Sequence, residues 1–167
     1  MKTIDSHNLN NLITMNNKCI LTLTTILFLA CNKIKSGNEL MEKETSYIRS
    51  LGLLQDHEQI IKFYSNYKFR NAGNFFTDQR IAKYWIDKND SAKNEIASAY
   101  YDDILSIDST TDVPSSNCPY LLVTRKDRSR FKVFVNGKRT AVKEFFAEAM
   151  GKWAKHQALA SLTHQAR

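Results

Sequence analysis

Between residues 60 and 135 the apolar side chains of this 167-residue chain recur in short runs of period two, and polar turn clusters separate the runs. Only beyond Asn136-Gly137 does the period lengthen to that of a helix. This order constrains the fold more than any other feature. Strand candidates lie at 60–65, 67–70, 74–77, 80–86, 95–101, 105–109, 119–125 and 130–135, with 71–74 reading as a turn cluster. In the last segment Thr140 is a suitable N-cap, and Val142, Phe145, Phe146, Ala149 and Trp153 fall on one helical stripe. The helix is expected to fray from Ala158 onward. Ahead of the strands, Leu40, Tyr47, Ile48, Leu51 and Leu54 space a short amphipathic helix that stops near Gly52. About seven closely spaced antiparallel strands and one long aromatic-striped helix predict a mainly β, α+β domain. Its strongly curved sheet leaves a mouth for the helix to plug.

The N-terminal segment carries a different message. Lys18 precedes an apolar run at 19–30, Cys31 follows it, and polar sequence resumes at Asn32. The run is shorter than the ~20 residues a membrane-spanning helix needs, and a basic flank before a short apolar core reads as an export signal. A cysteine at the cut resembles the lipobox of bacterial lipoproteins, with Phe28 where that family usually has Leu. The resemblance implies that residues 1–30 are removed and that Cys31 is acylated, with Met15 as the initiator ahead of a conventional signal. Residues 31–38 then form a tether and residues 39–167 a single domain. Cys19 lies in the signal and Cys31 takes lipid, so Cys118 stands alone and no structural disulfide is expected. With Pro119 and an apolar run behind it, Cys118 reads as a small buried hydrophobe at a strand start.

Three stretches together resemble the pleckstrin-homology-like superfold in its bacterial and GRAM-like versions. Asn74-Phe75-Phe76-Thr77-Asp78-Gln79-Arg80-Ile81 is similar to the family's hairpin, in which a strand ends in Thr, a polar pair turns and Arg opens the next strand. Tyr101-Asp102-Asp103-Ile104-Leu105-Ser106-Ile107 is similar to its acidic step between strands, and residues 142–153 to its closing helix. The resemblance implies an antiparallel split barrel of about seven strands closed by the C-terminal helix, and the short N-terminal helix read from the spacing precedes it. Arg80 is expected to pair with Asp78 or with Asp102-Asp103, as a structural contact.

No Gly-rich phosphate loop, metal-ligand spacing, cofactor motif or Ser-His-acid arrangement is visible. His57-Glu58 reads as a solvated turn. Two basic sets are candidate anion-binding residues: Lys62, Lys68 and Arg70 across the first hairpin, and Arg128, Arg130 and Lys132 on one face of a late strand. The net charge of +7 is unevenly spread. Seven acids face two bases between residues 87 and 112, while eleven bases face three acids between 125 and 167. Anionic lipid or an acidic envelope protein suits the basic sets, and export to a membrane surface argues against nucleic acid. The leading expectation is a non-enzymatic binding or scaffolding module, tethered by lipid to the membrane of a bacterial envelope. A purely structural envelope lipoprotein is the alternative, and an unrecognised hydrolase the third reading.

Overall fold

The computed structural model describes residues 34–111 and 118–165. The expected signal and Cys31 lie outside the described residues. Eight strands form two antiparallel sheets. The first contains β1 (Ile34–Ser36), β2 (Ile60–Tyr64), β3 (Ala72–Thr77), β4 (Arg80–Trp85) and β5 (Glu95–Tyr100), in sequential order. The second contains β6 (Ile104–Thr110), β7 (Tyr120–Arg125) and β8 (Arg130–Phe134). Helix α1 (Glu42–Ser50) lies between β1 and β2, and α2 (Arg139–Gln165) follows β8. The mainly antiparallel architecture with a C-terminal helix matches the expectation, but the sheets remain two and no closed barrel forms.

Five local expectations are corrected. Residues 34–36 are not tether; they pair with β2 through Ile34↔Tyr64, Lys35↔Phe63 and Ser36↔Lys62. Residues 67–70 are not a strand, because their carbonyls serve side chains instead: the Tyr84 hydroxyl donates to Phe69 O and the Tyr47 hydroxyl to Arg70 O. Ala72 and Gly73 belong to β3 rather than to a turn. Thr140 sits inside the first turn of α2, since the helix begins at Arg139. That helix also continues well past Ala158, to Gln165.

Alternation along the first sheet separates two cores. One face carries Phe63, Phe75, Ala82 and Tyr84 against Ile48, Leu53 and Leu54 from α1 and the loop behind it. Gly73 is required on this face, because a Cβ there would come within 2.4 Å of the Tyr84 ring and 2.6 Å of the Phe63 ring. The other face carries Tyr64, Phe76, Ile81 and Ala99. It joins Ile104, Ile107, Leu121, Val123, Phe131 and Val133 of the second sheet with Val142, Phe145, Phe146 and Ala149 of α2. The expected stripe of α2 therefore does face the interior, with Trp153 half-buried at its end. A register shift between Ile60 and Lys62 resets the phase of β2. Ile60 and Phe63 thereby reach the α1 core, while Lys62 and Tyr64 turn toward α2 and the second sheet.

The β3–β4 hairpin is organised by a buried ion pair. Thr77 Oγ1 accepts from the backbone N–H groups of Gln79 and Arg80 and donates to Glu58 Oε1 at 2.6 Å. Arg80 donates through Nε and Nη2 to the two oxygens of Glu58, both at 2.8 Å. The Arg80 and Glu58 side chains are 4% and 0% exposed. The guanidinium lies 4.0 Å from the centre of the Tyr100 ring. The sequence expectation placed Glu58 in a solvated turn and Arg80 against Asp78 or Asp102-Asp103; both are corrected. Asp78 instead accepts from the Gln59 backbone N–H at 2.9 Å. Between the sheets, Tyr101–Asp103 forms a single 3-10 turn, and Gln157 of α2 donates to the Tyr101 carbonyl at 2.8 Å.

Candidate functional site

Alternation continues along the inner face of the first sheet beyond the point where the hydrophobic core ends. There Ala72 and Asn74 of β3 and Lys83 and Trp85 of β4 line a cleft of about 340 Å³. Tyr64 closes it at the core, Asn66 and Tyr67 enter from the β2–β3 loop, and Phe134 and Asn136 come from the end of β8. Cys118 stands at its rim, exposed rather than buried as the sequence suggested.

The cleft is braced on both sides. The Phe134 backbone N–H donates to Asn74 Oδ1 at 3.0 Å, which ties the second sheet to the first across the opening. The Tyr67 ring meets Trp85 edge-on, with centroids 4.9 Å apart and planes at 84°. Tyr120 meets Phe134 edge-on at 5.8 Å. Lys83 is ion-paired with Glu95 of β5. Burial raises the Tyr64 hydroxyl above its ordinary pKa, although the Asn136 backbone N–H works in the opposite direction. The result is a concave surface of aromatic rings and amides in which Lys83, the one charged residue among the described lining residues, already has a partner.

The first basic set does not converge. Lys62 Nζ reaches Glu144 at 2.5 Å and Glu148 at 2.9 Å on α2. Burial works against its charge, but those two carboxylates outweigh it and hold the pKa above the ordinary value. Arg70 lies on the other side of the sheet, 5.6 Å over the Tyr47 ring of α1, and Lys68 is exposed in the loop between. In the second set, Arg130 and Lys132 share the outward face of β8 as expected from alternation. Arg128 is not on the strand; it occupies the preceding turn with φ of 71°. Lys132 Nζ sits 4.4 Å over the Tyr120 ring.

A second recess, of about 390 Å³, is lined by Gln79, Tyr100, Tyr101, Asp102, Asp103 and His156. His156 Nδ1 lies 3.2 Å from Asp102 Oδ1. The lining contains no serine, threonine or cysteine. Both phenols are engaged: Tyr101 donates to Thr77 O at 2.7 Å, and the Tyr100 oxygen meets Arg80 and Gln55. Among the described residues no group of three or more His, Cys, Asp or Glu could hold a metal ion.

No protein-family model and no curated protein matches the chain. Among solved structures it is similar to a DUF1696 family protein with a pleckstrin-homology domain from Shewanella loihica PV-4. That likeness has a TM-score of 0.42 at 17% sequence identity and covers 62% of this chain and 90% of the other.

Proposed function

We propose that this chain is a non-enzymatic binding module of pleckstrin-homology-like architecture, held at a bacterial envelope membrane by lipid on Cys31. The observation that carries the binding reading is the cleft beside Trp85. It is concave, rich in aromatic residues, and supplied with a few polar groups, which is the usual make-up of a small-ligand site. The strand order, the Thr77-to-Arg80 hairpin and the closing helix support the architecture. Lipid on Cys31 supplies the tether, and Arg130 and Lys132 give the domain a basic face for anionic headgroups or an acidic envelope protein.

Binding is tested by passing a small-molecule extract of the envelope over the immobilised chain and over its Trp85→Ala variant. Retention of a compound by the parent and not by the variant is expected; identical retention profiles would remove the cleft as the site. Localisation is tested by mass spectrometry of the protein from its native membrane. Loss of residues 1–30 with added acyl mass is expected, and a soluble chain retaining Met1 would refute the tether.

A further inference from the structure

We infer that the cleft takes an uncharged pyranose ring, an inference that rests on reading the cleft as the binding site. Charge is the first constraint. Among the described residues lining the cleft, Lys83 is the one charged side chain, and Glu95 already neutralises it. An anionic ligand would compete with Glu95 for Lys83, and a cationic one would find no carboxylate among the described lining residues. Desolvating an unpaired charge in such a cleft is unfavourable, so the fitting ligand is neutral.

Polarity is the second constraint. Asn74 and Asn136 bring amides to the lining. Asn74 Oδ1 is committed to the Phe134 backbone, which leaves its amide N–H groups as donors. The Tyr64 hydroxyl adds a further polar group to the lining. A wholly apolar occupant would strip water from these groups and return no hydrogen bonds.

The rings supply the third. Tyr67 is 61% exposed and Phe134 39% exposed, and both line the cleft with the half-buried Trp85. Their faces suit the C–H face of a saturated ring. A neutral molecule with an apolar face and a rim of hydroxyl or amide groups is a sugar. The volume lies at the low end of ligand sites, ~300–1,000 Å³, which fits one ring with its substituents. A peptide strand fits less well, because two backbone donors at the β8 end are already taken: Phe134 N–H is held by Asn74 and Val135 N–H by the Pro119 carbonyl.

The test uses the full chain carrying Trp153→Phe, so that emission reports Trp85. N-acetylglucosamine, N,N′-diacetylchitobiose and maltose are titrated beside glucuronic acid, p-cresol and a neutral tripeptide. A neutral sugar is expected to give a saturating change that is indifferent to salt. It should also slow thiol labelling of Cys118, read by peptide mapping. Calorimetry should show affinity falling at least tenfold in Tyr67→Ala, whose side chain lies outside both hydrophobic cores, and in Asn74→Ala. Co-sedimentation with purified peptidoglycan distinguishes a wall glycan from a free sugar as the source. Saturation by p-cresol or the tripeptide with no response to any sugar would overturn the sugar while leaving the cleft as a binding site. A salt-sensitive preference for glucuronic acid would overturn the neutral ligand. Silence of Trp85 and Cys118 toward every probe would overturn both readings.

Discussion

Glu58 and Arg80 show how one residue pair can organise a hairpin. Each exchanges water for a fixed partner, and each would be a bare buried charge without the other. Removing one partner is therefore expected to be far worse than removing both. Glu58→Ala or Arg80→Ala should each lose ~3–5 kcal/mol. The double replacement Glu58→Leu with Arg80→Met should lose less than either, because no charge is left behind. Urea denaturation of the three variants measures this, and additive losses would mean that the pair is not coupled. The pair was not legible in the sequence. Glu58 stands beside a histidine in a polar stretch, and its partner lies 22 residues away. Only the Thr77 turn, which was legible, brings Arg80 back to it.

At the scale of elements, α2 is held by its apolar stripe and by Lys62. Phe146 is 2% exposed and packs edge-on to Phe145, so Phe146→Ala should cost ~3–5 kcal/mol and sharply lower the melting temperature. A near-parental melting temperature would show that the helix is not part of the core. The Lys62 link has a pH signature. The Lys62 amine is raised above 10.5, so its contribution is complete below that value and is lost as pH rises through the folded value. The Glu144 carboxyl is lowered below 4.5 by its hydrogen bond to Lys62, so its contribution is complete above 4.5 and is lost as pH falls through the folded value. Lys62→Met should therefore lower the melting temperature by a few degrees at pH 7, with the gap closing toward pH 2. An equal drop at both pH values would assign the loss to packing of the stem. Periodicity made β7, β8 and the α2 stripe legible because each buries a regular face. It failed at β1, whose three residues gain their order from pairing with β2. It failed also at residues 67–70, which alternate like a strand but are pinned by Tyr47 and Tyr84 from elsewhere in the chain.

For the whole molecule, the candidate site is a composite. Its walls come from β2, the β2–β3 loop, β3, β4, the rim at Cys118 and the end of β8, and no local motif marks them as one site. Trp85 and Tyr67 looked like ordinary strand residues, and only the meeting of two sheets gives them a common cleft. The basic residues were easier to name and harder to place: Lys62 belongs to the helix contact, and Arg128 to a turn. Arg130 and Lys132 remain on an outward face, where each base near an anionic surface would contribute about 1 kcal/mol. Binding of the chain to anionic vesicles should exceed binding to neutral ones and weaken with salt. Arg130→Ala with Lys132→Ala should reduce it roughly thirtyfold, whereas Arg128→Ala should matter less. Equal binding to both vesicle types would leave these charges a role in solubility alone.

The three pairs of β1 also have a mechanical meaning. Tension applied to β1 at Ile34 loads the rung of Ile34 opposite Tyr64 first. Tyr64 is also a wall of the cleft. Tension on the N-terminus and occupancy of the cleft therefore act on the same residue. A filled cleft should raise the force at which β1 peels away, and a stretched chain should hold its ligand less well.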